Sequence, residues 1–261
     1  MWFQIKKAII YYLCSHHKKG HGIHSPFVFE IITQVFRDRR KYPEYDIAKN
    51  IFYQLKKNKT KIETPLLGAK ASNKKQTLKI SNIAKKSTIS AKYGQLLFRL
   101  VRYFNAQNIL ELGTCLGLGT TYLALANKKA QVYTIEGSEA FLNIARENLW
   151  SNNINNVHLI AGTFEQQLKY CLEQMPTLDF VFIDGNHTYE ATLSYFDILA
   201  QYAHHNTILV FDDIYWSPQM AQAWEKIKAD SRITLTMDIF RMGLVFFRKE
   251  IMVKQHFVIR F

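Results

Sequence analysis

Residues 109–126 read ILELGTCLGLGTTYLALA: an apolar strand carrying Glu111, a turn punctuated by Gly113, Gly117 and Gly119, and then a helix-forming run. Glycines in a strand-to-helix turn let the backbone come close to a ligand, and the helix N-terminus beyond them offers N–H groups. A dinucleotide fingerprint asks for G-x-G-x-x-G. Here the spacing is G-x-x-x-G-x-G, with Cys115 standing where the second glycine belongs, so the turn suits a ligand without a pyrophosphate.

Outward from this turn the pattern repeats. Strands are predicted at 108–112, 131–136, 157–162, 178–184 and 207–213, and two more near 233–239 and 243–248 are joined by a short turn. Strands alternating with helices imply right-handed crossovers and an α/β fold, with a mostly parallel seven-stranded sheet and an antiparallel C-terminal edge hairpin. Before Phe104 the reading is helical, with helices near 3–14, 26–38, 43–57 and 89–104. Between the last two lies TPLLGAKASNKKQTLKISNIAKKS, residues 64–87, whose Lys, Ser and Asn content reads as a mobile loop. The expected division is a basic helical N-terminal extension or lid, residues 1–88, and an α/β domain, residues 89–261.

With 261 residues and 48% hydrophobic side chains, the chain is long enough to bury a large core, which sets disorder aside. Cys14, Cys115 and Cys171 are widely spaced and odd in number, so neither a disulfide framework nor a zinc knuckle is indicated, and a cytoplasmic setting is expected. The opening MWFQIKKAIIYYLC is amphipathic but far shorter than the roughly 20 apolar residues of a membrane span. HHKKGHG follows it in place of a small-residue cleavage site. Charge is uneven: residues 1–102 hold 22 Lys and Arg against 5 Asp and Glu, whereas residues 103–261 hold 12 against 16. A basic half of this kind is either solvated surface or a phosphate-binding face.

Acids close several of the later strands. Glu136 ends the second, 23 residues after Gly113, where a carboxylate can accept both ribose hydroxyls of an adenosine, and Gly162, Thr163 and Phe164 after the third strand frame a place for the adenine. Asp184 ends the fourth strand and Asp212 and Asp213 the fifth. In an open parallel sheet these positions share the crevice beyond the strands' carboxyl ends. Ser217 and Pro218 make a better helix start than the aspartates, as N-cap and first helical residue, so Asp212 and Asp213 are available for a ligand. Three carboxylates in one crevice repel unless something positive sits among them, and oxygen ligands suit Mg²⁺, Ca²⁺ or Mn²⁺. His187, three residues after Asp184, is an imidazole with an ordinary pKa of ~6.5, suited to taking a proton or to holding the loop by a hydrogen bond. His16, His17, His21 and His24 form a second cluster, but Gly20 and Gly22 break the spacing that a helical metal site needs.

In the order AKYGQLLFRLVRYF, ILELGTCLGLGT, YTIEG, FVFIDGNH and VFDDIYWS, over about residues 90–250, the sequence resembles the class I S-adenosylmethionine-dependent methyltransferases, and within them the catechol-type O-methyltransferases and their bacterial relatives. The resemblance implies a Rossmann-like sheet and S-adenosylmethionine contacts at Glu111, Gly113, Thr114, Gly117, Gly119, Glu136, Gly162, Thr163, Phe164 and Asp184. It also implies a magnesium ion on Asp184, Asp212 and Asp213, the last replacing the family's usual asparagine, and His187 replacing a lysine base. Three readings stay open: a metal-assisted O-methyltransferase for a small hydroxylated molecule, in a form that includes a homodimer; an RNA methyltransferase using residues 1–102, with Tyr11, Tyr12, Tyr42, Tyr45 and Tyr53 stacking bases; and a non-catalytic cofactor-binding protein.

Overall fold

The computed structural model describes residues 2–15, 22–66 and 72–261. In chain order the elements are α1 (Trp2–Cys14), α2 (Pro26–Glu30) running into a π-helical segment (Ile31–Phe36), α3 (Glu44–Lys57), β1 (Lys61–Leu66), β2 (Ser72–Lys79), α4 (Ile80–Lys86), α5 (Ala91–Phe104) and β3 (Asn108–Leu112). They continue with α6 (Leu118–Ala126), β4 (Gln131–Glu136), α7 (Glu139–Ser151), β5 (Val157–Ala161), α8 (Phe164–Gln174) and β6 (Phe180–Ile183). The chain closes with α9 (Tyr189–Tyr202), β7 (Ile208–Phe211), α10 (Pro218–Ala229), β8 (Leu235–Asp238), β9 (Gly243–Phe246) and β10 (Gln255–Val258). These fall into two compact units, Arg39–Pro176 and Met1–Asp38 together with Thr177–Phe261.

In the unit Arg39–Pro176, β3, β4 and β5 run parallel in that order, with Ile109 opposite Val132 and Val132 opposite Val157. Ile109, Leu110 and Leu112 of β3 and Val132 and Ile135 of β4 are buried, the continuous apolar run expected of strands covered on both faces. Gly94 of α5 lies so close to α6 that a Cβ there would stand 2.2 Å from the Tyr122 ring. The segment expected to be a mobile loop is structured on both sides of residues 67–71, which lie outside the described residues. Strands β1 and β2 pair antiparallel, Lys61 opposite Lys79 and Ile62 opposite Leu78, and Ile80, Ile83 and Ala84 bury one side of α4. The lysines mask a period-two alternation in which Thr64 is buried and Lys61 and Glu63 are exposed.

The other unit orders its strands β10-β8-β9-β7-β6. Strands β6 and β7 are parallel, β9 is antiparallel to both β7 and β8, and β10 pairs parallel with β8. The expected hairpin β8–β9 therefore exists but is not the edge, and β10 brings the strands of the Rossmann-like fold to eight where seven were expected. The signal of β10 is weak because QHFV is only half-buried. Helix α1 buries none of its own residues; it is tethered by Tyr11, whose hydroxyl donates to the Ile259 carbonyl at 2.6 Å and accepts from Phe261 N–H at 3.0 Å.

Gly243 of β9 is required by Trp224 of α10, since a Cβ would meet the buried indole at 2.5 Å. Gly243→Ala is expected to cost about 1–3 kcal/mol by overpacking. It should lower the urea midpoint with an unchanged m value, and an unchanged midpoint would contradict this packing.

Candidate active site

The glycine turn is fixed by hydrogen bonds that buried acids accept. Glu111 is 1% exposed, and its Oε2 accepts from Thr120 Oγ1 at 2.5 Å and Thr134 Oγ1 at 2.7 Å. Thr114, also buried, shares a 2.6 Å hydroxyl contact with Thr134. Both expected cofactor residues thus turn their side chains into the fold, joining β3, β4 and α6 beneath the turn. Glu136 stands at the end of β4, its Oε2 accepting from Cys115 N–H at 2.9 Å and its Oε1 from Ser138 N–H at 2.8 Å. Cys115 and Gly117 are left-handed, with φ of 48° and 81°, and a Cβ on Gly117 would lie 3.0 Å from that of Ala145. Gly113 and Gly162 also have positive φ, while Gly119 sits in the first turn of α6. Thr163 caps α8 in a reciprocal box with Gln166, and Phe164 follows as the first helical residue. A close-approach turn, an oriented carboxylate and a positive-φ glycine after β5 fit the adenosine end of a nucleoside ligand.

A residue outside the expected set belongs here. Thr64 of β1 donates at 2.8 Å to Ser138, the N-cap of α7 and the neighbour of Glu136. Its only sequence signal is an apolar alternation among lysines.

In the other unit, β6 and β7 end on Asp184 and Asp212. After Asp184 the chain folds back sharply: Asn186 and His187 are left-handed, φ 63° and 37°, and His187 N–H bonds Gly185 O at 2.9 Å. Non-glycine residues in this region store strain, which concentrates at functional sites. Asn186 is anchored to the Tyr195 hydroxyl at 2.9 Å. The turn brings His187 Nε2 to 3.4 Å from Asp184 Oδ1. Burial alone would lower the His187 pKa; the hydrogen bond and charge of Asp184, with the charges of Asp213 and Asp212, outweigh it and raise it.

Asp212 is buried, and Arg241 clamps it: Nε lies 3.0 Å from Oδ1 and 3.3 Å from Oδ2, and a terminal guanidinium nitrogen 2.9 Å from Oδ2. Arg241 Nε is also 3.7 Å from Asp213 Oδ1. Burial, then the charge of Asp184, push the Asp212 carboxyl up to about 7 against the pull of Arg241. Asp213, left-handed with φ 53°, is likewise raised, chiefly by burial. The sequence reading gave the balancing charge to a divalent cation and missed Arg241. As arranged, the carboxylates do not fit such an ion, because the Arg241 guanidinium already holds a positive charge against both oxygens of Asp212 and beside Asp213, where a divalent cation would be repelled. Among the described residues no group of three or more His, Cys, Asp and Glu is disposed to hold a metal. The missed signal was register: β7 pairs antiparallel with β9, Phe211 opposite Gly243, so the residues after Phe211 lie beside those before Gly243.

The remaining sequence expectations resolve in different ways. Ser217 caps α10 by accepting Met220 N–H at 3.1 Å, leaving the aspartates uninvolved in the cap, as expected. Tyr215 donates to Asp238, and Lys7 of α1 sits 4.9 Å above its ring. Tyr42 and Tyr45 pack on Phe98 at 5.0 and 5.1 Å, and of the tyrosines proposed for base stacking Tyr12 and Tyr53 are the exposed ones. His16, His17 and His21 lie outside the described residues. No helix is long and apolar enough to cross a membrane among the described residues.

Comparison with known proteins bears on the domain and the fold. Residues 110–214 match a family model described as a methyltransferase domain. An uncharacterized protein of Acanthamoeba polyphaga mimivirus is 31% identical over 133 residues, 46% of this chain and 59% of that protein. The catechol O-methyltransferase of Mycobacterium tuberculosis is 29% identical over 133 residues, 48% of this chain and 56% of its own length. The chain thus spans a little over half the length of these curated relatives. The structure of an O-methyltransferase from Bacillus cereus in complex with SAH superposes with a TM-score of 0.57 at 20% identity, covering 82% of this chain and 95% of the other. Residues 110–214 thus match a methyltransferase domain, and the Rossmann-like fold is shared with O-methyltransferases of known structure.

Because the folded state binds the His187 proton more tightly than the unfolded chain, the Asp184–His187 pair stabilises the fold below ~6.5. That contribution is lost as pH rises through the raised folded value. Asp184→Asn is expected to lower the His187 pKa in an NMR titration; a value unchanged from the parent would show that the pair does not form.

Proposed function

We propose that this protein transfers a methyl group from S-adenosylmethionine to a hydroxyl of a small acceptor, with His187 as the base. The observation that carries this reading is the Asp184–His187 pair at 3.4 Å on its left-handed loop. Asp184 engages Nε2, which leaves Nδ1 as the nitrogen that takes the acceptor's proton. The raised pKa makes His187 a stronger base than a solvated histidine, and it is competent once pH exceeds that raised value. S-adenosylmethionine supplies an electrophilic methyl on a sulfonium; the acceptor oxygen forms the new O–C bond as the S–C bond breaks, the proton passes to His187, and S-adenosylhomocysteine leaves.

Glu136 and the turn from Gly113 to Gly117 are assigned the adenosine end of the cofactor, with Gly162, Thr163 and Phe164 beside the base. Glu111 and Thr114 act through the hydroxyl contacts that hold the turn. No step runs through a divalent cation, because the Arg241 guanidinium already supplies the positive charge at Asp212. The match to a methyltransferase domain and the likeness to a catechol O-methyltransferase support a vicinal diol such as catechol as the first acceptor to assay. The aromatic packing of Tyr42 and Tyr45 gives base stacking on RNA no comparable support.

Transfer of labelled methyl to catechol-type acceptors tests the reading. His187→Ala is expected to lower kcat by about 10²–10⁴-fold with cofactor affinity retained. The parent rate should fall as pH drops through the His187 value, above ~6.5. Asp184→Asn should move that limb to lower pH. An undiminished kcat for His187→Ala would overturn the assignment of the base.

A further inference from the structure

Three strand-end carboxylates within one unit, Asp184, Asp212 and Asp213, need compensating positive charge. The structure supplies it with residues of the chain itself, and their placement is built in. Arg241 sits in the tight β8–β9 turn, where Phe240 is left-handed at φ 69° and Asp238 accepts Phe240 N–H at 2.8 Å. Arg241 N–H bonds Ile239 O at 2.9 Å, and its carbonyl accepts Ile214 N–H at 3.2 Å, the amide next after Asp213. Backbone and side chain of one residue therefore grip the stretch Asp212–Ile214 together. A guanidinium stays charged at every pH the protein meets, and its planar fork matches a carboxylate on two oxygens. The Asp212 side chain is fully buried, and a second cation at its oxygens would meet the positive charge that the fork has already placed there.

We infer that Arg241 takes the place of a divalent cation among these carboxylates, and that methyl transfer at this site proceeds without one. Arg241 is thus a positioning residue: it holds Asp212 and Asp213 in place while the Asp184–His187 pair handles the proton. The second half of this inference rests on the methyltransferase reading. The first half is read out by metal binding, which needs no turnover, so failure of one is distinguishable from failure of the other.

The test uses the full chain, stripped with EDTA and titrated with Mn²⁺ while free Mn²⁺ is followed by electron paramagnetic resonance. The parent and Arg241→Lys should show no saturable uptake, and the parent's methyl transfer rate should be the same in EDTA as in Mg²⁺. Arg241→Ala leaves the carboxylates uncompensated and should take up Mn²⁺ saturably, at least ~10-fold more tightly than the weakest binding the parent titration could detect. Adding Asp212→Asn to that variant should abolish the gain. Saturable uptake of one Mn²⁺ by the parent, loss of its rate in EDTA, or no uptake by a folded Arg241→Ala would each overturn the inference. The parent titration decides the matter if Arg241→Ala does not fold.

Discussion

A carboxylate taken out of water must find its donors inside the protein, and this fold places four such groups at or near strand ends. Glu111, Glu136, Asp212 and Asp238 are all buried. An isolated buried charge is costly enough to neutralise itself or unfold its surroundings, so the partner each acid finds decides both the local backbone and the chemistry left to it.

The two units solve the problem differently. In the unit Arg39–Pro176 the partners are neutral: hydroxyls of Thr120 and Thr134 for Glu111, and the amides of Cys115 and Ser138 for Glu136. Neutral donors orient a carboxylate and leave its charge in place, which suits recognition of a ligand's hydroxyls. In the other unit Asp238 also has neutral donors, the Tyr215 hydroxyl and the Phe240 N–H, but Asp184 and Asp212 are paired with a histidine and an arginine. One of these cations can give up its proton and the other cannot. The same chemical need is therefore met by a titratable cation at the end of β6 and by a permanent one at the end of β7.

Much of this was legible in the sequence. The strands β3 to β9 follow the apolar runs, several of them closed by acids, and the His187 spacing from Asp184 is a local feature that no packing can disguise. Three elements were hidden for physical reasons. The hairpin β1–β2 carries lysines on its solvent face, so composition pointed to a loop while the period-two alternation around Thr64 was short and weak. Strand β10 is half-buried and lacks the continuous apolar run of its neighbours. Arg241 lies 29 residues from Asp212, and only the antiparallel register of β7 with β9 brings them together. The need for a positive charge among the aspartates could be read from the sequence. Its source could not, because that depends on which strands pair.

The central claim is that the turn from Gly113 to Gly117, with Glu136, holds the adenosine of S-adenosylmethionine. Calorimetric titration of S-adenosylmethionine into the purified chain, repeated with Glu136→Ala, tests it most directly. The account predicts saturable binding to a single site in the parent, weakened by about 1–3 kcal/mol when the charged hydrogen-bond acceptor is removed. Absence of binding to the folded parent, or affinity indifferent to Glu136, would contradict it.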